Sequence, residues 1–323
     1  MKICKTIEEL KKYAEVNASF DPENLLPSEN KVRYIVERIL GKAQFAALQT
    51  AYTAGGTLSP ELAELLPFVQ NAMVSLSMIK WVGSCGQVEI SDAGIHLNLS
   101  KDRKTAFQWQ ITDIQRHFKM EAYKALENML HFLWQSGPTE YLLWRVSDAR
   151  KEYLQYFIND SVEFSKHYQI HENFPFFLFL RETMDSVEEN YIIPIIGQPL
   201  FDEIKQQIIA GIVSANNNKI LKYIRKAVAN KTIYEAIPKL SSFMDEFGIR
   251  ENFLSMIMTT TADQPVRNEL ISLRMNHANK EGETNLLRLK KHLVDNATDY
   301  PLFVLPSETS VSMNSNDRAL FVV

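Results

Sequence analysis

Few residues in this chain have types and spacings that could do chemistry, and the clearest are His167 and His171. Their spacing of four would place both on one face of a helix, which suits two ligands of a metal such as zinc. Cys85, within the short stretch GSCG, could act as a nucleophile if a base and a positive environment lowered the pKa of its thiol. No Asp or Cys cluster joins the histidines, and no base is evident near Cys85. Surface or packing histidines and a helix end are therefore the simpler interpretations.

The sequence lacks the common motifs of catalysis and cofactor binding. It contains no GxxxxGK[ST], GxGxxG, GxSxG or HExxH pattern, and only 11 of its 323 residues are glycine. We therefore expect a protein without catalysis, cofactor or metal, whose function depends on its surface. A weak enzyme or metal protein that uses the histidine pair or Cys85 is the competing hypothesis.

The composition is that of a folded protein, with 46% hydrophobic and 23% charged residues and a formal net charge of -4. Neither half of the chain is strongly basic, which argues against nucleic acid as the main ligand but leaves room for a local basic patch. The two cysteines cannot form a disulfide framework, so a reducing compartment fits best. The N-terminus does not resemble a secretory signal, and no run of about 18 apolar residues is present. We therefore expect no membrane partner.

A weak pattern occurs twice along the chain. Five blocks recur in the same order, each at an offset between 154 and 159 residues. Coincidence between two helical sequences is one explanation, and tandem duplication of a domain is the other. Duplication predicts two domains, at 1–155 and 156–305, followed by an extended C-terminal arm at 306–323. The matched blocks are Glu9–Phe20 with Glu163–Phe174, Gly41–Phe45 with Gly197–Phe201, Leu65–Trp81 with Ile220–Ala236, Ser91–Ile95 with Asp245–Ile249, and Tyr141–Trp144 with Tyr300–Phe303.

Each domain is predicted to be a helical bundle with one small β-hairpin, so the fold class is mainly α. Thr6 and Glu9 form a capping-box pattern, and Gly41 follows a helical pattern as a terminator. Ser59, followed by proline, predicts the start of a long helix. Alternating residues flank a turn signal near residues 91–94, after which 105–134 shows the period of a second long helix. The corresponding hairpin signal in the second copy is weaker, and Pro194 and Pro199 should bend or restart its helices.

The candidate functional residues are therefore interface residues. Trp109 either anchors a protein interface, where tryptophan is common, or packs inside its own domain. Hairpin tips can project toward a neighbouring subunit, and the apolar end of the chain could add a strand to a neighbour. The candidates are Trp109, the tip residues Asp92, Gly94, Asp245 and Gly248, and the terminal residues Leu320 and Phe321.

Four stretches carry a resemblance to a known family: KTIEELKKYAEVNASFD, YIVERILG, ISDAGI followed by AFQWQITD, and NDRALFVV. Together they resemble an uncharacterised protein family encoded by phages and prophages of Bacteroidota, whose members are similar to head–tail connector (adaptor) proteins of tailed phages. The family's glycine block usually reads YIxPxIG. The second copy keeps that form at Tyr191–Gly197, whereas the first has Arg38 where the second has Pro194.

The resemblance implies a structural virion protein that is made in the bacterial cytoplasm. It implies a homo-oligomeric ring between the portal and the tail, with portal and tail proteins as partners and DNA incidentally near its channel. The alternative is a soluble helical interaction module of a prophage or host. Oligomeric state and genome neighbourhood would discriminate between the two.

Overall fold

A computed structural model describes residues 3–84, 88–91, 94–97, 107–137, 139–240, 242–245, 248–251 and 268–304. These residues are mainly helical, which confirms the mainly α part of the predicted fold class. The chain divides into two compact units, Met1–Tyr153 (unit 1) and Leu154–Val323 (unit 2), so the division lies close to the predicted boundary at residue 155. The predicted arm at 306–323 lies outside the described residues.

Unit 1 consists of short and long helices, and its two longest helices, α4 (Pro60–Ser84) and α5 (Gln108–Gln135), pack along each other. A 3-10 turn, Pro22–Leu25, precedes α2. The helices are α1 Ile7–Leu10, α2 Leu26–Leu40, α3 Lys42–Ala54, α4 Pro60–Ser84, α5 Gln108–Gln135, α6 Leu142–Arg145 and α7 Asp148–Leu154, the last of which ends at the boundary between the units.

The longer helices of unit 2 follow the same order as those of unit 1. Its two longest helices, α12 (Ala215–Leu240) and α13 (Asn268–Asp295), also pack along each other. A π-helical turn, Glu188–Ile192, precedes the short helix that contains Pro194. Pro194 is the second residue of this short helix, where proline is tolerated because its missing amide would have no partner within the helix. The helices are α8 Ser161–His167, α9 Phe174–Val187, α10 Ile193–Ile196, α11 Gln198–Ala210, α12 Ala215–Leu240 and α13 Asn268–Asp295, followed by a 3-10 turn, Ala297–Asp299.

Each unit also has one short antiparallel strand pair between its two longest helices. In unit 1, β1 (Val88–Ser91) pairs with β2 (Gly94–Leu97), with Val88 opposite Leu97. In unit 2, β3 (Ser242–Asp245) pairs with β4 (Gly248–Glu251), with Asp245 opposite Gly248. The residues that connect the paired strands, 92–93 and 246–247, lie outside the described residues.

Two glycines join consecutive helices in the same unusual conformation. Gly41 has φ 79° and ψ 141°, and Gly197, at an offset of 156 residues, has φ 80° and ψ 149°. This positive φ is unfavourable for any residue with a Cβ. A Cβ at Gly41 would also lie 2.9 Å from the Cβ of Ser147. The predicted helix end at Gly41 is confirmed.

The capping box predicts two hydrogen bonds at the start of α1, and the structure contains one of them. The Thr6 hydroxyl accepts a hydrogen bond from the Glu9 amide at 3.2 Å, which confirms the cap. The Glu9 carboxylate was expected to return to the cap residue, and this is wrong. It accepts instead from the Lys5 amide at 2.6 Å and from the Tyr52 hydroxyl at 2.5 Å, so it joins the N-terminal segment to α3.

In unit 1, the main chain of Ile3 is held at both its polar groups by side chains from two helices. The Ile3 amide donates to the buried carboxylate of Glu29 on α2, at 3.2 Å. The Ile3 carbonyl accepts from the side-chain amide of Gln70 on α4, at 2.9 Å. Because buried main-chain groups must be satisfied, these contacts fasten the N-terminal segment to the helices.

Unit 2 holds Phe157, 154 residues after Ile3, in the same way. The Phe157 amide donates to the carboxylate of Glu188 at 2.7 Å. The Phe157 carbonyl accepts from Nε of Arg225 at 2.9 Å. Arg225 lies 155 residues after Gln70, so the two units share this contact although the side chains differ.

A third shared contact closes each unit at its C-terminal end. The Tyr141 hydroxyl donates to the carbonyl of Glu61 at 2.8 Å. The Tyr300 hydroxyl donates to the carbonyl of Asn216 at 2.9 Å. Both tyrosines are buried. The matched stretches Tyr141–Trp144 and Tyr300–Phe303 therefore have the same structural role.

One described helix is long and apolar enough, by length and composition alone, to cross a membrane. This segment is Pro60–Val82 of α4, with a mean hydropathy of 1.4. Of its most apolar window, 56% is buried inside the protein, and core helices of globular proteins pass the same test. The segment is thus weak evidence for a membrane span.

Candidate interaction surfaces

The first turns of α5 and α13 extend beyond the cores of their units. On α5, no residue from Trp109 to His117 is buried, and Phe118 is the first buried residue. On α13, residues 269–277 are likewise exposed or half-exposed, and Ala278 is the first buried residue. Both long helices therefore present their N-terminal turns to solvent.

Large apolar side chains lie on these exposed turns. At the start of α5, Phe107 is 68% exposed and Trp109 is 63% exposed. At the start of α13, Leu270 is 53% exposed and Leu273 is 65% exposed. We call these two pairs the apolar ends. Of the two roles considered for Trp109, packing inside its own domain is not what the structure shows.

The remaining predicted site residues belong to the strand pairs or lie outside the described residues. Gly94 begins β2, directly opposite Ser91. Asp245 ends β3 and faces Gly248 at the start of β4, so the structure brings these two together. Three other candidates lie outside the described residues: Asp92, Leu320 and Phe321.

A groove of about 520 Å³ lies between the segment after α1 and the first half of α5. Two lysines, Lys11 and Lys12, line one part of it, and His117 and Phe118 line another. The remaining lining residues are Tyr13, Ala14, Glu15 and Ile114. The groove thus combines positive charge with an apolar wall, and it contains no pair of groups arranged for nucleophilic catalysis.

The predicted histidine pair does not form a metal site within the described chain. Nε2 of His167 lies 3.0 Å from Oε1 of Glu163, one turn earlier on α8. His171 lies in the turn after α8, with φ 56°. No group of three or more His, Cys, Asp or Glu side chains that could hold a metal occurs among the described residues. Cys85 lies outside them.

Glu163 is the centre of an ionic cluster that joins α8 to α12. Its carboxylate contacts Nε2 of His167, Nζ of Lys166 at 2.9 Å and NH1 of Arg225 at 3.0 Å. These partners, the His167 hydrogen bond above all, hold the pKa of Glu163 down at about 2. Because Arg225 also holds the Phe157 carbonyl, the cluster is part of the fastening of unit 2.

A buried ion pair between Glu188 and Lys205 was not found from the sequence. Glu188 is 2% exposed, and its carboxylate accepts from Nζ of Lys205. Lys205 also donates to the carbonyl of Gln155. Burial raises the pKa of Glu188 and lowers that of Lys205, although each group faces its opposite charge. The pair joins the π-helical turn to α11 within the core of unit 2.

The one cysteine within the described residues, Cys4, is not placed to act as a nucleophile. Cys4 is buried, and burial raises the pKa of its thiol to about 12. A thiol that stays protonated near neutral pH is a poor nucleophile.

Comparison with known protein families gives one match, and it covers more than half of the chain. Residues 36–153 and 192–312 each match the model of a family of unknown function, DUF6712. The chain belongs to the DUF6712 family. No curated protein and no solved structure matches it.

The two DUF6712 segments begin 156 residues apart, which is also the offset between Gly41 and Gly197. This double match is consistent with the tandem duplication predicted from the sequence. Each segment contains one pair of long packed helices and one apolar end. Ile3 and Phe157, which fasten the N-terminal segments, lie before their respective segments.

Proposed function

We propose that this DUF6712 protein is a structural virion protein, a head–tail adaptor of a tailed phage that forms a ring and catalyses no reaction. The observation that supports the proposal is the occurrence of an apolar end in each of two like units. In unit 1 this end contains Phe107 and Trp109, and aromatic side chains are enriched at protein interfaces, with tryptophan frequent among the residues that dominate the binding energy. The resemblance of the sequence to connector proteins suggests the type of assembly.

The duplicated architecture suits a ring. A contact between two different surfaces of identical subunits closes into a ring when the rotation between them permits. A chain with two like units offers such surfaces twice. In this proposal the portal and tail proteins are the partners, the mature location is the virion, and DNA passes near the channel.

Oligomerisation of the full chain tests this proposal. We would measure its mass by mass photometry and image it by negative-stain electron microscopy, alone and after mixing with the portal protein from the same genome neighbourhood. The proposal predicts rings in at least one condition. A protein that stays monomeric and never binds the portal or tail proteins would overturn it and favour the soluble interaction module.

A matched pair of variants tests the role of the apolar end. Phe107→Ser with Trp109→Ser removes the apolar end of α5, while Tyr34→Ser with Val146→Ser removes two side chains that are similarly exposed elsewhere in unit 1. A single hot-spot residue contributes about 2 kcal/mol or more, so assembly should weaken by at least about thirtyfold in the first variant even when only one of its two residues is a hot spot. Equal assembly in both variants would show that this end of α5 is not an interface.

A further inference from the structure

Unit 2 has a row of exposed basic side chains on its two longest helices. Lys219, Lys222 and Lys226 are all exposed and follow one another at spacings of three and four along α12. This spacing places them on one side of the helix. Near the end of α13, Arg288 and Lys291 are also exposed. We call these five residues the basic face.

A ring contact brings the two parts of the basic face side by side. The rings of Tyr223 on α12 and His292 on α13 lie 6.0 Å apart. Nζ of Lys222 lies 4.9 Å from the centre of the Tyr223 ring. Arg288 lies one helical turn before His292 on α13, and Lys291 directly precedes His292 in the sequence. Among charged groups on this part of α13, Asp295 is the exposed acid, so positive charge predominates.

The fold does not require these charges. The offset of 155 residues that relates Gln70 to Arg225 also relates the three lysines of α12 to positions on α4. Those positions are Glu64, Pro67 and Asn71, none of which is basic. Unit 1 therefore forms the same helix pair with no basic side chain at these three positions. A charge pattern that one copy has and the other lacks indicates a function specific to unit 2.

We infer that the basic face binds the phosphate backbone of DNA. The helical rise separates successive lysines by about 4.5 Å and about 6 Å along the axis, so each can reach a different phosphate. Lysine acts as a point charge toward phosphate and reads no base, so the binding should not depend on sequence. This inference does not depend on the proposed ring.

The surroundings of the face favour DNA over a protein or a membrane. Among the described residues of α12, no large apolar side chain is exposed. Protein interfaces and membrane-surface helices both use apolar contact, whereas phosphate contact does not need it. On α13, Leu287 and Val294 are exposed, so membrane binding is included as an outcome of the test.

Fluorescence anisotropy of the full chain with a labelled, mixed-sequence DNA duplex tests the inference. The test variant is Lys219→Glu with Lys222→Glu and Lys226→Glu. The control, Lys42→Glu with Lys119→Glu and Lys124→Glu, reverses three exposed lysines of unit 1 and changes the net charge equally. Circular dichroism would establish that both variants are folded.

We expect the wild type to bind DNA at low salt, and the test variant to lose at least ten times more affinity than the control. The slope of log affinity against log salt should become shallower by about 3, because each lost phosphate contact contributes about 0.9. Absence of DNA binding by the wild type, or equal losses in the two variants, would overturn the inference. It would also be overturned if the test variant lost binding to anionic vesicles or to a protein partner but kept its DNA affinity. Rings that fail to form while DNA binding persists would count against the adaptor proposal alone.

Discussion

The buried pair Glu188–Lys205 should make unit 2 unusually sensitive to the loss of a single charge. Glu188→Gln would leave the Lys205 ammonium buried with only the carbonyl of Gln155 as a strong acceptor. Lys205→Met would leave the Glu188 carboxylate with the Phe157 amide. Breaking a buried pair by removing one partner costs about 3–5 kcal/mol, because the remaining charge stays desolvated. That is a large part of the roughly 5–15 kcal/mol by which domains are stable.

Removing both charges should cost less than the sum of the single changes. In the double variant, the introduced methionine would keep the apolar stem that Lys205 places over the ring of Phe157, where Nζ now lies 3.9 Å from the ring centre. The introduced glutamine can still accept from the Phe157 amide. We therefore expect each single variant to lose about 3 kcal/mol or more, and the double variant to recover about 2 kcal/mol relative to additivity.

The assay must separate the two units, because a chain of two units need not unfold in one step. Hydrogen exchange measured by mass spectrometry on peptides from α9 and α11 reports unit 2. All four tryptophans of the chain lie in unit 1, so urea unfolding followed by tryptophan fluorescence serves as an internal control. Additive single effects, or losses below about 1 kcal/mol, would show that the pair is not coupled as the structure indicates.

Two further predictions concern a glycine and a pH dependence. Gly41→Ala should destabilise unit 1 by about 2–4 kcal/mol, because Gly41 has a positive φ and a Cβ there would contact Ser147. A Cβ at Gly56 meets no atom within 4 Å, so the control Gly56→Ala should be near neutral. Urea unfolding detected by tryptophan fluorescence would compare the two variants. Since the pKa of Glu163 is depressed in the folded state, its stabilisation should be present above pH 4.5 and be lost as the pH falls toward about 2. We expect about 1 kcal/mol after allowance for solvent screening, and urea unfolding followed by circular dichroism should show a weaker acid dependence in Glu163→Gln. Equal stability of the two glycine variants, or the same acid dependence with and without Glu163, would contradict these predictions.

Local signals in the sequence predicted the helices well. Thr6 caps α1, Gly41 ends α2, and proline after Ser59 begins α4, because each depends on the backbone chemistry of one or two residues. The repeat was visible through the order and spacing of weak matches. It was weak because equivalent positions keep a role and not a residue type, as Gln70 and Arg225 show when each holds a main-chain carbonyl.

Features that depend on tertiary packing could not be predicted. The helical period of α5 is the same whether Trp109 packs inside the unit or faces solvent, and only the extent of the core decides this. Lys205 lies in a helix whose pattern gives no sign that a carboxylate from another helix reaches it. The spacing of Lys219, Lys222 and Lys226 was visible in the sequence. The significance of this spacing depends on two further facts: the three lysines are exposed, and the equivalent positions of unit 1 carry no basic residue.

The shared tyrosine contacts set when each unit can complete its fold during synthesis of the chain. In unit 1, Tyr141 and Trp144 hold the carbonyls of Glu61 and Ile39, which belong to earlier segments. Once Trp144 has left the ribosome, unit 1 can complete these contacts while unit 2 is still being translated. Unit 2 must wait for Tyr300. The two units have the same order of helices, but they complete their folds at different times during synthesis. This limits pairing between a helix of one unit and a helix of the other.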